Sequence, residues 1–518
     1  MEQLSIPQMN SEPETTNKTR IASFCYAILL TVLAYLLWTS MFQQNTLLFW
    51  ISAAVLFTAT LIFGLVLGAK PNPVNCVLYL CGVVYAMHAW INGLYFASLY
   101  VYAHAIVLTY ALFVLSLFGN HNRALRTGTF ILDAIKAVFI YPFIRFVTYF
   151  TSLFHWKERS KRIGKTVLFV LIGVAAALIL GLIAIALLSF DSRFAALVKI
   201  DFQLEDVPEA FLKLLLSVPA AAILFSAFRS SREKKLDAFS TPEKADAIGS
   251  RVKKIPSVVF LIPAITLLAI YGLFFFSQWD IYTGAFSGVL PEAYTAAEYA
   301  RSGFFELCAV AAINAALCTS FTVFARKSNS AWTVVKKIVN TLFALATLIL
   351  IVTALSKLAL YIQRFDLTYT RFFVAILLFL FAVGFIALIL SQWIRRVRVM
   401  PVLVVCVALL LLAAPFCNVR GRIAKYNVDA YLQRAEQGTV DNRIDCNYLF
   451  DDLGDAAIPE AVRLLESGKL KENDVQLVYT LLQLKHAHLQ ELESSRHTLA
   501  SRRALKELNA FFDEENKS

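Results

Sequence analysis

The sequence predicts an all-α protein, a polytopic bundle of about eleven membrane-spanning helices followed by a small helical domain outside the membrane. Hydrophobic residues make up 58% of the 518-residue chain and charged residues only 16%, against about half and about a quarter in soluble domains. The apolar residues come in blocks of about 20, which is the length a helix needs to cross about 30 Å of hydrocarbon. The final part of the chain is polar and repeats its apolar residues at helical spacing.

The predicted organisation has five parts. A polar stretch, 1–20, precedes four spans within 21–119, and the segment 120–166 is basic. Seven further spans lie within 167–419, and 420–518 form the helical domain outside the membrane. The mixed charge of the N-terminus and the lack of a cleavage motif indicate an uncleaved first span. The predicted spans are 21–42, 47–68, 76–91, 94–119, 167–190, 209–228, 257–278, 303–325, 341–362, 371–393 and 400–419.

One apolar segment, 130–156, allows two interpretations. It is long enough for another crossing, but it contains Asp133, Lys136 and Arg145 and is interrupted by Pro142. Its flanks are basic at both ends, and both flanks would therefore favour the cytoplasmic side. We expect a helix lying in the membrane interface with its apolar face toward lipid, with a crossing as the alternative.

The positive charge of the chain predicts its orientation. Lysine and arginine outnumber aspartate and glutamate, which gives a net charge of +12. The basic residues concentrate in alternate loops, as expected for the cytoplasmic loops of a membrane protein, so the charge does not indicate nucleic-acid binding. The basic loops are 123–165, 229–254, 326–337 and 395–398. The loop 191–209 is acidic, and 279–302 holds only one basic residue, Arg301. The N-terminus is therefore predicted to be cytoplasmic and the tail extracytoplasmic, in a plasma or inner membrane.

Two charged residues inside predicted spans form the core of a candidate polar site. Glu306 lies about one turn inside its span, and Lys357 lies about five residues from the end of the next span. The two spans are antiparallel, so we expect both charges at similar depth, where an unpaired charge is costly. The full candidate site is Glu298, Tyr299, Arg301, Glu306, Lys357, Tyr361, Arg364 and Arg371.

The bland alternative for this site is a structural ion pair, or side chains that reach the headgroup region. The functional alternative is a ligand or transport site. The eight cysteines form no C-x-x-C pair, so we predict neither a metal site nor a disulfide framework. No nucleotide-binding or common hydrolase motif occurs in a usable context, and no cofactor is predicted.

Three segments carry a resemblance to a known family: EYARSGFFEL (298–307), TALSKLALYIQRFDLTYTRFF (353–373) and NVDAYLQ (427–433). They resemble a bacterial family of polytopic membrane proteins classed as a domain of unknown function, of the DUF4173 or DUF4153 type. The resemblance covers roughly 257–455 and implies a bacterial membrane location without an established activity. It also implies glycine at the position of Asp366, so the turn there is expected to differ.

Three functions fit these observations. A binding, sensing or scaffold protein of the cell envelope would use the polar site to recognise an anionic lipid or lipid-linked headgroup, and 420–518 to contact a protein partner. A secondary transporter would use Glu306 and Lys357 as a charge pair. An envelope enzyme acting on a lipid-linked substrate would need a second carboxylate, such as Asp366 or Asp280. We expect the first, and the sequence leans away from an enzyme.

Overall fold

The structure is a computed structural model that describes residues 17–70, 72–93, 96–118, 134–153, 209–233, 256, 258–277, 304–324, 330–394, 396–438, 443–494 and 496–515. All secondary structure in these ranges is helical. The chain divides into two compact units. Unit 1 comprises Met1–Tyr79, Tyr110–Gly119 and Ala134–Lys234, and unit 2 comprises Leu80–Thr109, Asn120–Asp133 and Lys235–Ser518.

The longer helices are numbered here in chain order. Those before the tail are α1 (Asn17–Phe42), α2 (Thr46–Val66), α3 (Pro73–Asn92), α4 (Phe96–Leu117), α5 (Phe146–Leu153), α6 (Glu209–Glu233), α7 (Val258–Ser277), α8 (Phe304–Phe324), α9 (Ser330–Phe365), α10 (Tyr369–Trp393) and α11 (Val399–Ala413). Those of the tail are α12 (Val419–Glu436), α13 (Ile458–Glu466), α14 (Glu472–Glu491) and α15 (Leu499–Glu515).

The predicted membrane bundle is confirmed. Ten of the eleven predicted spans coincide with described helices, and the remaining one, 167–190, lies outside the described residues. Eight helices of the described part are long and apolar enough to cross a membrane, namely α1, α2, α3, α6, α7, α9, α10 and α11 with the short turn that follows it. The described apolar stretches of α4 and α8 are shorter, His104–Leu117 and Ala309–Cys318.

The segment 130–156 is a broken helix where it is described, from 134 to 153. It consists of a π-helical turn (Lys136–Ile140), a single α-turn (Tyr141–Ile144) and α5. Pro142 has no amide N–H to donate within a helix. Three residues later the α-turn ends, and the amide of Arg145 donates to Ser226 Oγ at 2.9 Å. The segment is therefore interrupted, as Pro142 predicted, and it packs on α6. Its position in the membrane interface stays a prediction.

Buried hydroxyl groups connect the helices of unit 1. Tyr26 and Tyr110 both bond to Thr60, at 3.0 and 3.2 Å, and Thr60 also donates to the carbonyl of Leu56. Thr60 is fully buried. Polar side chains that bond across helices hold membrane bundles together, because lipid tails do not drive apolar helix faces into contact.

The membrane part of unit 2 is built around α9. This helix has 36 residues, or about 54 Å at 1.5 Å per residue, and so extends beyond a hydrocarbon layer of about 30 Å. Asn314 of α8 accepts a bond from the Tyr271 hydroxyl at 2.7 Å and donates to Thr347 of α9 at 3.0 Å. Asn314 and Thr347 are fully buried, so this chain of bonds joins α7, α8 and α9 inside the bundle.

The tail folds into a small helical domain with its own core. Pro459 lies in the first turn of the amphipathic helix α13, and Gly468 adopts the left-handed conformation (φ 66) that ends it. The core residues Val428, Leu453, Leu482 and others come from α12 to α15 and the turns between them. Leu367, Tyr369 and Phe372 of the membrane part pack against this core, which fixes where the tail sits within unit 2.

Candidate functional site

The predicted polar site is only partly described. Glu298, Tyr299 and Arg301 lie outside the described residues, and of Glu306 only the backbone, in the first turn of α8, is placed. Lys357 is half-buried on α9.

The relative depth of Glu306 and Lys357 follows from the packing of α8 against α9. The helices run antiparallel, since Asn314 bonds to Thr347 and Lys336 bonds to the carbonyl of Phe321. This register places position 306 level with the segment around Thr353, one helical turn from Lys357. The pairing of the two charged side chains stays a prediction.

The C-terminal end of α9 carries the better-described half of the predicted site. The Arg371 guanidinium lies 4.3 Å from the centre of the Tyr361 ring and donates to the carbonyls of Phe365 and Asp366. A cation at this position satisfies carbonyls that have no partner within the helix and opposes the negative end of its dipole. Arg371 therefore caps α9, whereas Arg364 is exposed.

Asp366 forms the turn between α9 and α10. Its φ of 61 lies in the left-handed region, where glycine is least strained and aspartate is tolerated. Both Nη1 and Nη2 of Arg434, from α12, donate to Asp366 Oδ1 at 3.0 Å. Burial raises the pKa of the Asp366 carboxyl above its ordinary value, and the Arg434 guanidinium opposes that rise. Glycine would adopt this conformation without strain, and its presence at this position in relatives stays a prediction.

The tail is held on the α9–α10 turn by side chains that bond to backbone. Asn427 accepts the Leu367 amide at 2.8 Å and donates to the Leu367 carbonyl at 3.0 Å. The Tyr448 hydroxyl accepts the amide of Tyr369 at 2.6 Å. These bonds use backbone groups that no helix can satisfy, because they lie in the turn and at the start of α10.

A second set of contacts joins the tail to the end of α3. Arg420, of which only 4% is exposed, donates to the carbonyl of Asn92 at 3.2 Å, and its guanidinium lies 5.5 Å from the centre of the Tyr369 ring. Asn92 in turn donates to the carbonyl of Pro415 at 2.8 Å. The C-terminal ends of α3, α9 and α11 thus lie on one side with the tail, as the predicted alternation of spans requires. Which side of the membrane this is stays a prediction.

A cavity of about 350 Å³ lies between these helix ends and the tail, and we call it the junction pocket. The membrane helices contribute Trp90, Ile91 and Phe416, and the tail contributes Pro459, Leu499 and Arg503. Asp455 also lines the pocket, and its carboxylate pairs with Lys485 at 2.8 Å. Among the described residues of the lining, the other charged side chain is that of Arg503, which is exposed. The pocket is therefore mainly apolar toward the membrane helices, where Asn92 of α3 is a polar exception, and positively charged toward the tail.

Comparison with known families identifies the group to which the chain belongs. The profile of DUF4153, a domain of unknown function, matches residues 74–464. The chain is a member of the DUF4153 family. This membership decides between the two types that the sequence resemblance suggested. The matched region contains both sides of the tail attachment, Leu367 and Asn427, and ends within α13, before α14 and α15. No curated protein and no solved structure shows significant similarity to the chain.

The sequence did not predict the bonds that attach the tail to the α9–α10 turn, although several of the residues lie in the segments that resemble the family. Leu367 and Tyr369 lie in one of the segments that resemble the DUF4153 family, and Asn427 is the first residue of another, NVDAYLQ. The feature that could have predicted the attachment is Asn427, a polar residue at the start of a family-like segment close to the last predicted span. Tyr448, Arg434 and the junction pocket gave no comparable signal.

Proposed function

We propose that this DUF4153 protein is a membrane-anchored binding protein, and that its ligand is an amphiphile with an anionic headgroup held in the junction pocket. The observation that carries the proposal is the composition of the lining. Apolar ends of membrane helices form one wall, and the tail supplies Arg503 on the other, while Lys485 neutralises Asp455.

The size and position of the pocket support an amphiphile. Binding cavities for small molecules are about 300–1,000 Å³, and this one is about 350 Å³. Trp90 and Ile91 belong to the last turn of α3, and tryptophan is enriched where a membrane meets water. An apolar chain would lie against these residues, and a charge-assisted bond from Arg503 would hold a phosphate or carboxylate.

The fixed attachment of the tail favours binding or scaffolding over transport or catalysis. Asn427, Tyr448 and Arg420 hold the tail through bonds to backbone atoms of the membrane part. Asp366, one of the carboxylates considered for an enzyme, is bonded to Arg434. We propose further that the membrane is a bacterial plasma membrane and that the tail faces outward, where lipids and lipid-linked wall precursors would be the source of such a headgroup.

The test uses a water-soluble probe and the full-length protein in phosphatidylcholine nanodiscs. Hexyl phosphate, hexanol and inorganic phosphate are each titrated by calorimetry. We expect hexyl phosphate to bind at least about tenfold more tightly than hexanol, which corresponds to about 1.4 kcal/mol. Arg503→Gln should reduce this preference to near unity, because it removes the charge and leaves the apolar wall.

The control is Arg502→Gln on the same helix, which makes the same charge change at an exposed residue outside the pocket lining. It should leave the preference unchanged. Equal loss in both variants would mean that net charge and not the pocket attracts the probe. Equal binding of hexyl phosphate and hexanol to the wild-type protein would refute the anionic headgroup.

A further inference from the structure

Three arginines and one glutamate form a cluster in unit 1, at the C-terminal end of α6. Glu233 Oε2 pairs with Arg145 Nη2 at 2.6 Å, and Oε1 pairs with Arg229 Nε. Arg232, partly buried, lies within electrostatic reach of both Arg229 and Glu233. Each carboxylate oxygen of Glu233 therefore pairs with one guanidinium group. The third guanidinium group, that of Arg232, has no second carboxylate within this cluster.

The cluster lies where the apolar spans end. Arg229 also donates to Ser23 Oγ at 3.4 Å, and this bond joins the start of α1 to the end of α6. The apolar stretch of α1 begins at Thr19, and that of α6 ends at Glu233. These positions correspond to the level of lipid headgroups, just outside the hydrocarbon.

The backbone around Arg145 is fixed by α6. Its amide donates to Ser226 Oγ at 2.9 Å, and the carbonyl of Tyr141 accepts from both Ser226 and Ser230, at 2.9 and 3.0 Å. These bonds therefore fix the backbone at the break in the segment, where the Arg145 side chain pairs with Glu233. Next to it, Phe143 and Ile144 are exposed by 60% and 49%, as expected for side chains that face lipid tails.

We infer that this arginine cluster binds the phosphate of an anionic membrane lipid. Three guanidinium groups and one carboxylate leave two positive charges in excess. Guanidinium groups bind phosphate with two parallel bonds, and basic residues beside a membrane attract anionic headgroups. The exposed Phe143 and Ile144 would lie beside the acyl chains of the same lipid. The site is separate from the junction pocket, and its variants are compared in an Arg503→Gln background, so that lipid held by Arg503 does not enter the measured ratio.

The experiment measures lipids that stay bound to the full-length protein in native mass spectrometry, from an equimolar mixture of phosphatidylglycerol and phosphatidylcholine. We expect the protein with the intact arginine cluster to retain phosphatidylglycerol preferentially in the Arg503→Gln background. Arg232→Gln should lower the ratio of bound phosphatidylglycerol to phosphatidylcholine by about fivefold, the effect of one basic residue near an anionic surface. Arg396→Gln, an exposed arginine in another basic loop, is the matched control and should leave the ratio unchanged.

A second variant separates lipid binding from a purely structural ion pair. Glu233→Gln adds one positive charge to the cluster, so it should lower the melting temperature in phosphatidylcholine nanodiscs and regain stability in phosphatidylglycerol. A structural pair alone would give the same loss in both lipids and would overturn the inference, as would an unchanged lipid ratio in Arg232→Gln. Displacement of phosphatidylglycerol by inorganic phosphate alone would assign the site to a free anion and overturn the lipid assignment.

Discussion

Substitution of Asn427 by alanine should release the tail from the α9–α10 turn. Asn427 is 6% exposed and makes two bonds, one to the amide and one to the carbonyl of Leu367. Alanine leaves both backbone groups without their partner. Because Leu367 is only half-buried, we take the lower end of the cost of an unsatisfied group, about 1 kcal/mol each. The free energy of tail opening should fall by about 2 kcal/mol, which is about 30-fold in the open population.

The assay is hydrogen exchange of the full-length protein, measured on peptides that cover residues 366–372. The amide of Tyr369 is the informative position, because it bonds to Tyr448 and not to Asn427. If the tail is released as a unit, exchange at Tyr369 should accelerate by about 30-fold in Asn427→Ala, together with Leu367.

The matched control is Asn473→Ala, which removes an exposed asparagine from α14. It should leave exchange at both positions unchanged. Faster exchange at Leu367 with unchanged exchange at Tyr369 would refute the reasoning, because the Asn427 bonds would then be local and would not hold the tail.

Three further predictions follow from the same structure. Burial raises the folded-state pKa of Asp366 above its unfolded value, so between those two pKa values the folded protein binds a proton that the unfolded protein does not. Lowering the pH through that window should therefore stabilise the wild-type protein relative to Asp366→Asn in denaturant titrations. A pH-independent difference between the two proteins would contradict this. Asn314→Ala removes two bonds inside the bundle and should lower the free energy of unfolding by about 1 kcal/mol, at about 0.6 kcal/mol per membrane hydrogen bond; an unchanged melting temperature would show that neither bond contributes. Cys446 is 5% exposed and burial raises its pKa to about 11, so an impermeant thiol reagent should label it slowly in the folded tail. If the tail is outside, the exposed cysteine of Asn473→Cys, in a variant without other cysteines, should react in intact spheroplasts. Labelling only after lysis would reverse the predicted orientation.

The fold could be predicted from the sequence because span length is a local property. Ten of the predicted spans needed only a run of apolar residues long enough for the bilayer. Pro142 predicted an interruption, but the sequence did not show that the amide of Arg145 would donate to Ser226. That contact joins residues 81 positions apart, and no periodicity encodes it.

The candidate site was predicted less well for a related reason. The search for buried charge led to Lys357, Tyr361 and Arg371, and the last two are in contact at the end of α9. The junction pocket is built from separate stretches of the chain, including α3, the end of α11 and α15. The charges of α15 indicate no position relative to α3 in the sequence, and only the folded arrangement brings Arg503 to the apolar helix ends.

The central claim, that the junction pocket binds an anionic amphiphile, is tested most directly by filling the pocket. Ala500 lines the cavity on α15, and Ala510 is exposed on the same helix. Hexyl phosphate is titrated calorimetrically into Ala500→Phe and into the control Ala510→Phe, both in phosphatidylcholine nanodiscs. We predict that Ala500→Phe loses binding and that Ala510→Phe binds like the wild-type protein. Undiminished binding by Ala500→Phe would contradict the claim, because the probe would then occupy another place.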